Sequence, residues 1–103
     1  MLLDEENSAA VSVVSIWEIA IKRARRGARA MPVTALEAQA SFEQSGYSLL
    51  SIHAKHAAAC ETMPQIHSDP FDRLLVAQAL TEPLRLITSD RIVGSYDKSI
   101  ICV

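Results

Sequence analysis

The chain has 103 residues, half of them hydrophobic and 5% aromatic, with a formal net charge of −2. That length supports one core, and the slightly acidic balance excludes a globally basic nucleic-acid binder while leaving room for a local basic patch. Two cysteines, Cys60 and Cys102, lie far apart without zinc-type spacing; no signal peptide or membrane span is expected, and both thiols are expected free, in a reducing, cytoplasmic compartment.

The run "VSVVS", residues 11–15, is β-branched and reads as a buried strand that leads straight into "SIWEIAIKRARRG". A helix begins there. Ser15 and Glu18 have the S-x-x-E spacing of a capping box, Gly27 is its expected stop, and Lys22, Arg25 and Arg26 lie near the negative end of its dipole. Pro32 and Thr34 introduce a second helix over 35–44, ended by Gly46. "YSLLSI", residues 47–52, is the next strand, followed by an alanine-rich helix over 54–62 and a turn carrying Met63 and Pro64.

The stretch "HSDPFDRLLVAQAL", residues 67–80, opens a further helix. Asp69 reads as its N-cap, Pro70 suits the first helical position, and Asp72 falls where a capping-box acid reaches back. After Arg73 the segment is apolar nearly all round, so it is expected to be buried on more than one side. "LRLIT", residues 84–88, is a strand ending at Ser89 and Asp90, and a short helical stretch through Ile92 and Val93 leads to a last strand, "SIICV". This alternation predicts an α/β domain with a mostly parallel sheet covered on both faces.

The acids now fall into a pattern. Glu18 follows one strand, Asp90 follows another, and Asp72 heads the helix that feeds the second. Ligands of open α/β sheets bind in the crevice beyond the strand C-termini, which is where these three would converge. Carboxylates gathered in a partly buried cleft repel one another unless a cation joins them. A hard divalent ion, Mg²⁺ or Mn²⁺, takes oxygen ligands and activates water, so phosphodiester hydrolysis is the chemistry such a site would perform. No Ser, His or Cys nucleophile with triad-like spacing competes with it.

Each residue also has a local reading. Glu18 and Asp72 match capping boxes, and Asp90 matches a strand-end turn. Lys22, Arg25, Arg26 and Arg29 would position RNA phosphates near the pocket, or form a solvated helix end. Trp17 would stack on a base or pack in the core. Arg73 is expected in an ion pair, with phosphate contact as its other use. His53, His56 and His67 lack the partners of a zinc motif and are expected at the surface.

Taken together, "VSVVSIWEIAIKRARRG", "HSDPFDRLLVAQAL" and "LRLITSD" closely resemble, in order and approximate spacing, the PIN-domain toxins of the VapC type, the ribonuclease halves of type II toxin–antitoxin systems. The combination of S-x-W-E-I-A-I-K, D-P-F-D-R-L-L-x-A-Q-A and T-S-D is specific and spans nearly the whole chain from Asp4 onward. The resemblance implies an α/β/α sandwich, an acidic pocket for Mg²⁺ or Mn²⁺, endonucleolytic cleavage of RNA and inhibition by a small cognate antitoxin. A homodimer is expected, with no membrane association. Carried over residue by residue, it implies Glu18, Asp72 and Asp90 as catalytic metal ligands, Asp69 as an accessory acid, and Thr88 and Ser89 as hydroxyl residues of the same loop.

One departure stands out. Members of that family begin with a strand ending in aspartate, typically L-L-D-T-H, and then a helical segment before the strand that is here "VSVVS". "MLLD" is separated from Val11 by fewer residues than the dozen or so that a parallel crossover needs. "LLDEENSAA" is therefore expected to be the tail of such a helical segment and its loop, in a single, N-terminally shortened domain over 1–103. The first metal-binding aspartate is then absent, and the sheet has to close a gap at its centre. Two readings follow: an endoribonuclease working with Glu18, Asp72 and Asp90, or an inactive remnant that binds antitoxin or has no activity.

Overall fold

Among the described residues, four strands run one way and a fifth runs against them. The computed structural model describes residues 1–3, 9–64, 69–82, 84–88 and 101–102, with the backbone alone at 85, 87, 88, 101 and 102. In chain order the elements are β1 (Leu2–Leu3), β2 (Ala9–Ser12), α1 (Val13–Ala30), α2 (Ala35–Gln44), β3 (Ser48–Leu50), α3 (Ala54–Ala59), α4 (Pro70–Thr81), β4 (Arg85–Thr88) and β5 (Ile101–Cys102). The strand order is β3-β2-β1-β4-β5. Pairing is parallel between β2 and β3 and between β4 and β5. The expected α/β class therefore holds, but the sheet is mixed: two of the four pairings described are parallel, and the two made by β1 are antiparallel.

The antiparallel β1 corrects the reading of the N-terminal residues. Leu2–Leu3 is not the tail of a helix but the central strand, antiparallel to β2 and to β4 (Leu2↔Ala10, Leu3↔Ala9; Leu2↔Leu86, Leu3↔Arg85). A crossover of about a dozen residues is required only for a parallel pairing. An antiparallel pair needs no crossover, and a connection as short as residues 4–8 suffices. Leu2 fills the gap at the centre of the sheet and is fully buried against Met63, Val76, Ala77, Ala79 and Leu86.

The strand expected over 11–15 stops at Ser12 for a related reason. Ser12 pairs with Leu50, the last residue of β3, so the ladder ends there and the chain turns into α1. Ser12, not Ser15, is the N-cap: its Oγ accepts the Val14 N–H at 3.0 Å. Gly27 interrupts α1 with φ 79° instead of ending it, a left-handed value that glycine adopts without a Cβ clash. The last turn closes when the Met31 N–H donates to the Gly27 carbonyl at 3.2 Å.

The second helix has the expected bounds, capped by Thr34, whose Oγ1 accepts the Glu37 N–H at 3.0 Å. In α3 the helix stops at Ala59, because the N–H groups of Cys60, Glu61 and Thr62 bond three residues back and tighten the end. Val76, Ala77, Gln78 and Ala79 are consecutive and all buried, which covers α4 on more than one side as its composition predicted. The helices touch in the series α2, α1, α4, α3. Among the described residues no helix is long and apolar enough to cross a membrane. Cys60 carries a free thiol. The helical stretch expected through Ile92 and Val93 lies outside the described residues.

A buried polar chain ties these helices to the sheet. Ser12 donates from Oγ to Oε1 of Gln78, whose Nε2 donates to the Ser51 carbonyl at 3.2 Å and approaches Nδ1 of His56 at 3.4 Å. His56 was expected at the surface and is instead fully buried. It takes the place a glutamate holds in a capping box: its Nδ1 accepts the His53 N–H at 3.0 Å. That leaves Nε2 to carry the proton and donate to Glu82 at 2.9 Å. His53 is exposed, as expected, and His67 lies outside the described residues.

Glu82 also pairs with Lys55 at 2.8 Å. The hydrogen bonds from Lys55 and then His56 hold the Glu82 carboxyl below its ordinary value. A carboxyl depressed in the folded state stabilises it above the unfolded value, about 4.3, and loses that contribution as pH falls through the folded value. Glu82→Gln is therefore expected to lower the urea midpoint at pH 7, with the gap to the parent narrowing at pH 3. An equal gap at both pH values would contradict this.

Candidate active site

β2 and β4 run the same way on either side of β1, and their registers against Leu2 put Ser12 and Thr88, their last residues, level with each other at the C-terminal end of the two strands. From that end α1 departs, and α4 packs against it. Trp17 of α1 meets Phe71 of α4 edge to face, with ring centroids 4.8 Å apart and planes at 75°. Glu18 and Asp72 each follow one member of that aromatic pair by a single residue. The two acids thus stand on adjoining helical turns.

The structure also separates capping from the other uses of these acids. Because α1 begins at Val13, Glu18 lies in its second turn, and the first turn holds no acid. The Ser15–Glu18 capping box does not form. Glu18 instead binds Lys22 at 2.6 Å, one turn ahead. A cation already balances this carboxylate.

Asp69 behaves as its position predicted: its Oδ1 accepts the N–H of Phe71 at 2.8 Å and of Asp72 at 3.4 Å, with Pro70 in the first turn. Asp72 is third in the helix, where the dipole favours a negative charge. Asp69→Ala is expected to cost about 1 kcal/mol of stability, and Asp69→Asn only a fraction of that, because the amide keeps an acceptor oxygen. Denaturant unfolding of both variants checks it; equal losses would show that the charge, not the cap, matters.

Between the helices lies an open groove of about 390 Å³, lined by Ile21, Lys22, Arg25 and Arg26 from α1 and by Asp69, Pro70 and Phe71 from α4. The basic residues expected to hold phosphate therefore face one space. Neither Arg25 nor Arg26 is bonded to an acid among the described residues, whereas Arg23 donates to the Met31 carbonyl at 2.9 Å. Arg29 is exposed.

Arg73 does not join them. Its Nη1 donates to the Pro64 carbonyl at 3.0 Å and its Nη2 to the Cys60 carbonyl at 2.7 Å, which anchors the α3–α4 connection. Two residues that the sequence reading passed over, Ser12 and Gln78, hold the start of α1 against the last third of α4. The serine immediately before the new helix start was their one visible signal.

Asp90 and Ser89 lie outside the described residues, and of Thr88 only the backbone position at the end of β4 is described. Among the described residues no three His, Cys, Asp or Glu side chains are grouped so as to hold a metal ion. The described donors, Glu18 and Asp72, are nonetheless oxygen ligands of the kind hard divalent cations take. The family model described as PIN domain matches residues 2–98. No curated protein and no solved structure matches the chain.

Proposed function

We propose that this chain, which belongs to the PIN-domain family, is an endoribonuclease dependent on Mg²⁺ or Mn²⁺ and the toxin component of a type II toxin–antitoxin pair. PIN domains are generally divalent-metal-dependent nucleases. The ribonuclease and toxin reading rests on the VapC-type motifs around Glu18, Asp72 and Asp90. A small cognate antitoxin as inhibitor, a homodimeric assembly and a cytoplasmic location belong to the same reading.

The observation that carries the site is the Trp17–Phe71 contact, which sets the turns bearing Glu18 and Asp72 side by side. These two, with Asp90, would hold the cation. When bound, the ion supplies Lewis-acid activation of water and neutralises charge on the phosphodiester.

The chain's own residues do the rest. Lys22, Arg25 and Arg26 line the groove and offer positive charge to the RNA backbone, fixing its position without reading sequence. Asp69 holds the first turn of α4 in place, so the Asp72 backbone is set before any ligand arrives. Ser12 and Gln78 lock α1 against α4 from below.

The test is incubation of single-stranded RNA of mixed sequence with the chain in Mn²⁺ and in chelator, followed by analysis of the new ends. Hydrolysis by water leaves linear phosphates and depends on the metal. Cyclic phosphates, or cleavage that survives the chelator, would refute the mechanism. Absence of cleavage would favour an inactive remnant that binds antitoxin.

A further inference from the structure

We propose that Trp17 is a nucleobase-stacking platform at one end of the basic groove, which makes the site selective for single-stranded RNA; this rests on the ribonuclease reading above. Trp17 is 47% exposed, an unusual state for the lone tryptophan of a small domain with few aromatics. An edge-to-face contact covers at most one face of a ring, so Phe71 leaves Trp17 a face to offer. Phe71 itself lines the groove, and Ile21, also in its wall, lies one turn beyond Trp17, about 6 Å along the helix.

Further along the same helix are Lys22, Arg25 and Arg26. An aromatic face followed by a row of cations is complementary to a strand whose bases are splayed and whose phosphates run alongside. A duplex keeps its bases stacked on one another and has none to give Trp17. Stacking of this kind tolerates any base, because every base has a π-face. The cations argue for nucleic acid over an apolar protein segment as the occupant. Phe71 serves as the positioning residue that holds the indole upright.

Because Trp17 is the only tryptophan, its emission reports the site directly. The experiment titrates the intact chain, in chelator to prevent cleavage, with a short single-stranded RNA, with the same strand carrying abasic sites, and with a duplex. Trp17→Ala and Trp17→Phe are compared by anisotropy of labelled RNA, with circular dichroism to confirm folding.

The base-bearing strand is expected to quench Trp17 and to bind Trp17→Ala about 5- to 150-fold more weakly than the parent. Trp17→Phe should retain most of the affinity, and the abasic strand should bind parent and Trp17→Ala alike. Equal affinity of parent and Trp17→Ala for the base-bearing strand overturns the stacking role and leaves the ribonuclease reading standing. No RNA binding by the parent, together with no Mn²⁺-dependent cleavage, overturns both. A blue shift of Trp17 with chain concentration in the absence of RNA assigns the ring to a protein contact instead, and also overturns the proposal.

Discussion

Asp72→Asn is expected to leave the domain folded and to lower Mn²⁺-dependent RNA cleavage by at least about 100-fold. Loss of a group that merely supports a metal ligand commonly costs 10- to 100-fold, and loss of a ligand costs no less. The amide has nearly the same shape as the carboxylate but lacks the charge a hard cation requires. Stability should change little, because the α4 N-terminus is capped by Asp69 and its interior is buried through Val76 to Ala79. Thermal unfolding by circular dichroism and cleavage assays separate the two effects. A variant that melts like the parent and still cleaves would remove Asp72 from the site.

Glu18→Gln should behave similarly, with one difference. It also breaks the ion pair with Lys22, an i,i+4 contact of the kind worth about 0.3–0.5 kcal/mol on a helix surface. Its cost in stability is therefore small, and a large loss of cleavage in this variant again points to the site and not to the fold.

Leu2→Ala is expected to destabilise the domain by about 3 kcal/mol, the middle of the range for large-to-small changes in a packed core. Leu2 has no exposed surface and sits where β1 joins both halves of the sheet. Truncation would open a void against Met63, Val76 and Leu86 that the backbone of a central strand cannot collapse to fill. Leu80→Ala is the control: Leu80 is 44% exposed on α4, and its loss should cost far less. Similar urea midpoints for the two variants would mean that Leu2 does not occupy the centre of the sheet.

What the sequence revealed, and what it hid, follows from the range of the interactions involved. The bounds of α2 and the start of α4 were legible because Thr34, Gly46, Asp69 and Pro70 act on their own backbone or on residues up to three away. Ser12 and Ser15 both satisfy the local pattern for a cap. Only the length of β3, which stops opposite Ser12, chooses between them. The reversal of β1 was hidden because two leucines fit the core in either direction, and a pairing with residues 85 and 86 leaves no local trace.

The same distinction applies at the site. Glu18 and Asp72 were singled out by their motifs, and the Trp17–Phe71 contact puts the helical turns that carry them side by side. The structure also removes the capping explanation for Glu18, which the sequence could not do. His56 was misread because its partner, Glu82, is distant in the chain. Polar side chains buried by remote partners carry no periodic signature.

The central proposal is that Glu18, in the second turn of α1, and Asp72, in the first turn of α4, hold a divalent cation. Its most direct test is titration of the chain with Mn²⁺ in the absence of RNA, followed by the electron paramagnetic resonance signal of the free ion. Saturable binding by the parent, weakened at least about tenfold in both Glu18→Gln and Asp72→Asn, is the predicted result. Mn²⁺ that stays free, or that binds both variants as tightly as the parent, would contradict it.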